Sequence, residues 1–333
     1  MRVAAIIPSY NVAAYLPQAI ESVRAQTRAV DEIIVVDDGS SDGSVEVARR
    51  LGATCIRTPV NGGPGAARNL GLRATDADVV AFLDADDFWE PGHLAATTAL
   101  LERHPRAALA FGGVRKFNDE HPDDKRCAPH PPHGADAPLD EPADVFFTLV
   151  RENIVTQSAA VARRAALLEA GGYDEGMRHS EDYDLWMRLA MRAPFVAAPG
   201  VSTNYRLHDS QASLSTELMV RGWWRARANI RRVAAESGWP QDARARLDDA
   251  LRQAWESDLR WAWRMCDRRV VEVVLAQRAA VPGADAIAAR WSKRLRRFWP
   301  FWVPAIALWD LLPQGTKNVL KTPVRTLRGG VVA

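Results

Sequence analysis

From Val3 to Phe111 the chain alternates short β-branched apolar runs with longer amphipathic stretches, and few architectures accept that alternation. Val3–Ile7, Ile33–Val36, Thr54–Arg57, Val79–Leu83 and Ala107–Phe111 read as strands. Ala13–Gln26, Ser41–Leu51, Gly65–Ala74 and Gly92–His104 read as the helices between them. Several of these strands are apolar throughout, as strands covered on both faces must be. Strands joined through helices run parallel with right-handed crossovers, which predicts an α/β fold with a mostly parallel sheet flanked by helices. Ligands of such sheets collect beyond the carboxyl ends of the strands. The residues that follow each strand are therefore where chemistry is expected.

Two strand ends are acidic. Ile33–Val36 runs into Asp37-Asp38-Gly39-Ser40, then Ser41-Asp42. A carboxylate there can accept from a base N–H or a ribose hydroxyl; equally, Ser40, Ser41 or Asp42 can cap the following helix. Val79–Leu83 runs into Asp84-Ala85-Asp86-Asp87. Three carboxylates in four residues repel unless a cation lies among them, and oxygen ligands suit Mg²⁺ or Mn²⁺ bridging to a diphosphate. A solvated acidic turn is the plain alternative, but two acidic ends in one parallel sheet are harder to dismiss than one.

Between them lies Asn61-Gly62-Gly63-Pro64-Gly65-Ala66-Ala67-Arg68-Asn69. It departs from a dinucleotide fingerprint, because Arg68 stands where Gly or Ala is needed and the segment follows the third strand rather than the first. A glycine turn opening a helix still presents backbone N–H groups, and here Arg68, to an anion.

As a set, Pro8-Ser9-Tyr10-Asn11, Val36-Asp37-Asp38-Gly39-Ser40, the Asn61–Asn69 segment and Asp84-Ala85-Asp86 resemble the family 2 glycosyltransferases of GT-A fold. Ser180-Glu181-Asp182-Tyr183-Asp184-Leu185-Trp186 is similar to that family's "ED" segment, and Tyr205-Arg206-Leu207-His208 with Ser213 to its closing motif. The resemblance covers Met1 to Ser215. It implies an inverting, metal-dependent transfer of one sugar from a UDP-, GDP- or dTDP-sugar to an acceptor hydroxyl. It implies that Pro8 and Tyr10 line the nucleoside pocket, with Asp38 on the base or ribose. Arg68 would lie near the nucleotide and Asp84 near the ribose or metal. Asp86 would ligate Mn²⁺ or Mg²⁺, and His208 would reach the metal or the diphosphate. Asp182 would be the general base, with Glu181 beside it. For Asp182 the plain alternative is a helix-start residue favoured by the helix dipole. A nucleotide-sugar-binding scaffold without activity is the competing class, and a binder has no need of the base. A sugar nucleotidyltransferase would want a glycine-rich, basic loop after the first strand, which Pro8-Ser9-Tyr10-Asn11 is not.

His121 to Pro142 is rich in Pro, His and Asp and reads as a long surface loop that could flap over the site. His121, His130 and His133 within it lack the periodicity of a zinc site. Helical and strand signals return from Ala143 to His208.

Beyond Glu217 the chain reads as helical and basic. The net charge of +2 on 333 residues hides an excess of 22 Lys/Arg over 11 Asp/Glu from Thr216 onward. The charge asymmetry, with the resemblance ending at Ser215, leads to an expected catalytic domain over residues 1–215 and a helical C-terminal region over 216–333. Trp223, Trp224, Trp255, Trp261, Trp263, Trp291, Trp299, Trp302 and Trp309 fall in that region. Basic clusters beside aromatic, apolar sequence suit an anionic membrane surface, while internal packing or a dimer contact would use the same residues. No recognised nucleic-acid module accompanies the charge, and the Gln-x-x-Arg-Trp motif of processive synthases is missing. A lipid-linked or other cell-surface glycan precursor is the expected acceptor. No apolar run is long enough to span a bilayer and no signal peptide is recognised. Cys55, Cys127 and Cys266 show no paired spacing. A cytoplasmic protein, peripheral on the inner face of the membrane, is expected.

Overall fold

The computed structural model describes residues 1–119, 129–130, 140–208, 215–265, 267–295 and 297. Strand β1 (Val3–Ser9) is buried at nearly every position and lies between β2 (Glu32–Asp37) and β4 (Val79–Phe82), parallel to both. Beyond β2 lies β3 (Thr54–Arg57), also parallel. Helices α1 (Leu16–Arg24), α2 (Ser44–Arg50) and α3 (Pro64–Ala74) make the crossovers. α1 begins later than its sequence pattern suggested, because Asn11 adopts a left-handed backbone (φ 53°) and Pro17 stands in the first turn.

The other half of the sheet is mixed. After the two-residue strand β5 (Phe88–Trp89) and α4 (His93–Arg103), strand β6 (Leu109–Phe117) runs six residues past its expected end. The two-residue β7 (Pro129–His130) pairs with β6, so His130 is a strand residue, while His121 and His133 lie outside the described residues. Helix α5 (Phe146–Arg151) and a 3-10 turn at Gln157–Ala159 lead into β8 (Ala160–Arg163), which is antiparallel to β4 and β6. The chain enters β8 from the edge where β4 ends, so it can only run back. Then come α6 (Arg164–Glu169), α7 (Glu181–Ala190), β9 (Phe195–Arg206), which is parallel to β6, and α8 (Thr216–Glu236). The strand order is β3-β2-β1-β4-β8-β6-β9-β5.

Both sheet faces are covered. Val3, Ala5 and Ile7 of β1 join Leu16, Ile20, Leu94 and Leu101 in one buried cluster. On the other face, Phe82 meets the Tyr173 ring edge-on at 5.6 Å and lies 6.4 Å from Trp186 of α7. Helix α3 comes very close to β1: a Cβ on Gly71 would sit 2.7 Å from Cγ2 of Ile6. That approach sets the depth of α3 and hence of Arg68, one turn earlier.

Two compact units divide the chain, Met1–Pro240 and one beginning at Gln241. The compositional boundary at 215 therefore falls short. α8 belongs to the first unit because it buries Val220, Trp224, Arg227 and Ile230, and Arg227 donates from Nε to the Val150 carbonyl at 2.9 Å. In the second unit, α9 (Gln241–Arg264) and α10 (Arg268–Ala276) pack together, and Trp255 donates to the Val274 carbonyl at 2.7 Å. Asp267 caps α10 by accepting from the Arg269 and Val270 N–H groups. Trp299, Trp302, Trp309, Ser213, Cys127 and Cys266 lie outside the described residues. Among the described residues no helix is long and apolar enough to cross a membrane.

Gly71→Val is expected to lose about 1–3 kcal/mol by overpacking against Ile6. A lowered midpoint in urea unfolding would register it; an unchanged midpoint would show that α3 can shift.

Candidate active site

Chain order places β2 and β3 on one side of β1 and β4 on the other, so a crevice opens beyond the carboxyl end of β1. Pro8 is half-buried in the last turn of that strand, past its final pairing with β4 at Ile6, where a residue without an N–H costs no ladder bond there. Tyr10 follows, 51% exposed. At the end of β2 the buried Asp38 accepts from the Gly62 N–H at 2.9 Å, the Gly63 N–H at 2.7 Å and Thr58 Oγ1 at 2.9 Å. Its carboxylate thus holds the glycine turn that opens α3. The neighbouring Asp37 is fully buried and accepts from the Ser40 N–H at 3.2 Å.

Arg68 is only 4% exposed and bridges two elements. Nη1 donates to Glu181 Oε1 and Nη2 to Asp84 Oδ1, each at 2.6 Å, and the guanidinium lies 5.5 Å from the Tyr173 ring centre. A Cβ on Gly65 would lie 3.3 Å from Glu181 Cγ, so α3 and the start of α7 are in close contact here. Arg68 joins the turn after β4 to the helix that carries Asp182.

A second cluster lies along the same acidic turn. His208 Nε2 and Asp86 Oδ2 are 3.0 Å apart. Asp87 is buried and accepts from Ser158 Oγ at 2.6 Å and the Arg206 N–H at 2.9 Å. Ser158 Oγ in turn accepts the Asp84 N–H at 3.1 Å. Arg206 lies between the Tyr15 and Phe117 rings, at 4.9 and 4.7 Å, and donates from Nε to the Asp86 carbonyl at 2.9 Å. It also pairs with Asp119 and bonds to Gln18. The end of β9 and the acidic turn are thereby held as one piece.

Among the described residues no three His, Cys, Asp or Glu side chains gather round one point. Mg²⁺ and Mn²⁺ at diphosphate sites use one or two protein ligands beside phosphate oxygens and water. The adjacent oxygen of Asp86 and nitrogen of His208 fit such an ion.

Residues 4–169 match the model of glycosyl transferase family 2. The domain belongs to that family. An uncharacterized glycosyltransferase of Nostoc sp. is 48% identical over 99 residues, covering 28% of this chain and 31% of the relative. Another from Rickettsia typhi is 26% identical over 213 residues, covering 63% of this chain and 65% of the relative. The matches thus span less than two thirds of these relatives' own lengths. Among solved structures, S. aureus TarS 1-349 in complex with UDP-GlcNAc superposes with a TM-score of 0.64 at 17% identity, covering 85% of this chain and 82% of the TarS 1-349 chain. A mannosyltransferase of Pyrobaculum calidifontis, in complex with GDP-Man and Mn²⁺, gives 0.56 at 19% identity, covering 93% and 88%. These likenesses show the GT-A fold.

The glycosyltransferase domain concentrates carboxylates where little solvent reaches. Burial pushes the Asp182 carboxyl up to about 7, and the adjacent Glu181 carboxylate adds to that, against the opposing charge of Arg68. Burial and the neighbouring Asp86 raise Asp87 well above the usual carboxylate range. Burial holds the His93 imidazole down to about 3; its Nδ1 lies 2.9 Å from Ser202 Oγ, in the core. Of the residues marked in the sequence, Arg68, Asp84 and Glu181 come together, as do Asp86 and His208. Asp182 follows Glu181 in the first turn of α7. Pro8, Tyr10 and Asp38 share the edge without hydrogen bonds to either cluster among those described. Arg206, Asp87, Ser158 and Tyr173 were not singled out. Arg206 and Asp87 stood inside marked motifs, whereas Ser158 and Tyr173 carry no local signal.

Asp182 takes up a proton in the native state between its ordinary 3.8 and about 7, so its ionisation opposes folding as pH rises through that window. Asp182→Asn is expected to be more stable than the parent at pH 8, by about 2–4 °C in Tm. The advantage should vanish towards pH 3, below the ordinary 3.8, where the carboxyl is protonated in the folded and unfolded chain alike. Equal Tm at pH 8 would contradict a raised Asp182.

Proposed function

We propose that this glycosyltransferase moves a single sugar from a nucleoside-diphosphate donor to an acceptor hydroxyl with inversion, using Asp182 as general base. The observation that carries this reading is the carboxyl of Asp182, raised to about 7 at the start of α7, beside a carboxylate already engaged by Arg68. A base near the working pH combines availability with driving force, a contribution of roughly 10²–10⁴-fold. As the acceptor oxygen bonds to the anomeric carbon, Asp182 takes its proton, and the bond to the diphosphate oxygen breaks on the opposite face. Glu181 is occupied by Arg68, which leaves the proton to Asp182.

Asp86 and His208 would hold Mn²⁺ or Mg²⁺, which when bound would neutralise the charge growing on the departing diphosphate. The Mn²⁺ in the Pyrobaculum complex supports this use. The crevice edge at Pro8, Tyr10 and Asp38 would receive the nucleoside, with Arg68 and Asp84 shaping its floor. UDP-, GDP- and dTDP-sugars are the candidate donors; UDP-GlcNAc and GDP-Man in the two fold relatives support the first two. The basic, aromatic C-terminal sequence supports a cytoplasmic enzyme resting on an anionic membrane surface, where a lipid-linked or cell-surface glycan precursor would be the acceptor.

A thermal-shift panel of UDP, GDP, dTDP and CMP, each with and without Mn²⁺ or Mg²⁺, tests donor and metal together. One nucleoside diphosphate should raise Tm only with metal, and Asp86→Ala should abolish that metal-dependent part. An equal shift in Asp86→Ala would remove Asp86 from the metal site. With the donor so chosen, release of nucleoside diphosphate should rise with pH to a plateau above about 7. Asp182→Asn should lose it by about 10²-fold or more while still binding nucleotide; parental turnover would rule out Asp182 as the base.

A further inference from the structure

The base proposed above sits between two contacts with α8, a helix beyond the segment matched by the family model. On the near side of Asp182, Gly222 of α8 packs on the chain at His179 and Ser180: a Cβ there would lie 2.6 Å from the His179 carbonyl oxygen and 2.8 Å from Ser180 Oγ. A glycine inside a helix costs about 1 kcal/mol relative to Ala, and here the close approach requires it. Ser180 itself is left-handed, φ 60°, so the entry to α7 is a tight bend held from outside. On the far side, Asn229 Nδ2 donates to Asp184 Oδ1 at 2.8 Å.

Asp184 is fully buried, and its other oxygen accepts from Arg188 Nε at 2.7 Å. Arg188 continues to the Gly172 carbonyl at 2.7 Å. Next to Gly172, the Tyr173 N–H donates to Asn69 Oδ1 at 2.8 Å, and the Tyr173 ring lies against Arg68. One polar chain therefore runs from α8 through Asp184 to the guanidinium that grips Glu181. Three carboxylates open α7, and the two flanking Asp182 are both tied down, Glu181 by Arg68 and Asp184 by Arg188 and Asn229. Asp182 thus lies in a turn whose neighbouring carboxylates are both anchored.

We infer that Asn229 of α8 is a positioning residue for the base, holding the first turn of α7 through Asp184 so that α8 completes the catalytic domain. This rests on the reading of Asp182 as the base. Asn229 is half-buried and makes no part of the nucleotide edge, so its loss should act on chemistry and leave donor binding alone.

The test compares Asn229→Ala, Asn229→Asp and Asn229→Gln with Asp182→Asn, following nucleoside diphosphate release from UDP-GlcNAc and GDP-Man well below each Tm. A ¹³C-carboxyl NMR titration of Asp182 runs alongside and needs no donor. The charged and titratable groups around that carboxyl are Glu181 on its own helix, Arg68 on α3, Asp84 after β4, and Tyr173. Asn229→Ala should lower kcat about 10-fold with donor KM unchanged, and its Asp182 titration should move from about 7 toward the ordinary range as solvent enters. Asn229→Asp, which sets a second carboxylate against Asp184, should do more. Asn229→Gln, which keeps the amide donor, should recover part of the loss. An unmoved Asp182 titration, or parental kcat in Asn229→Ala beside a dead Asp182→Asn, overturns the inference while leaving the base in place. Parental turnover in Asp182→Asn would remove the base itself, and the inference with it.

Discussion

The buried guanidinium of Arg68 joins two elements of the site. Arg68 gives one 2.6 Å hydrogen bond to Glu181 and another to Asp84, and so ties the first turn of α7 to the end of β4. Both contacts are charge-assisted, and they replace the water that the guanidinium and the carboxylates give up. Removing Glu181 would leave the buried Arg68 guanidinium short of a partner where little water reaches, which is costlier than the pair is worth in water. The half of the acidic edge that meets α7 is arranged around that constraint. Gly65 and Gly71 let α3 approach closely enough to deliver Arg68, and Tyr173 closes over it.

With Arg68 satisfied by Glu181 and Asp84, Asp182 is left among like charges in a poorly solvated position. Its raised pKa is a consequence of packing, and in the proposed mechanism it would place the general base close to neutral pH. The same arrangement opposes stability as pH rises from about 4 towards 7. The second cluster follows the same logic from the other side. Arg206, between two aromatic rings, pins the acidic turn so that Asp86 and His208 lie 3.0 Å apart, while Asp87 is engaged by Ser158 and the Arg206 N–H.

Much of this was legible in the sequence. Apolar strands alternating with helical stretches foretold the parallel half of the sheet, and the rule that ligands collect at carboxyl ends marked the turns after β2 and β4. The motifs in their order pointed to the family. The sequence was less informative where partners lie far apart along the chain. Nothing near Ser158 announces that it joins Asp84 to Asp87, and nothing near Asn229 announces Asp184. Composition also drew the domain boundary too early, because α8 is basic on its exposed side yet buries Trp224 and Arg227 in the first unit.

By itself, then, the sequence determined which residue types stand at the strand ends, since local hydrophobic period and turn chemistry act over a few residues. Tertiary structure alone decided what each carboxylate does. Asp38 holds a glycine turn, Asp84 and Glu181 neutralise Arg68, Asp87 anchors β9, Asp86 meets His208, and burial with the neighbouring Glu181 holds Asp182 protonated up to about 7. Those assignments depend on how deeply each group is buried and on which cation lies within reach. Both are properties of packing between elements that the chain separates by as many as 122 residues.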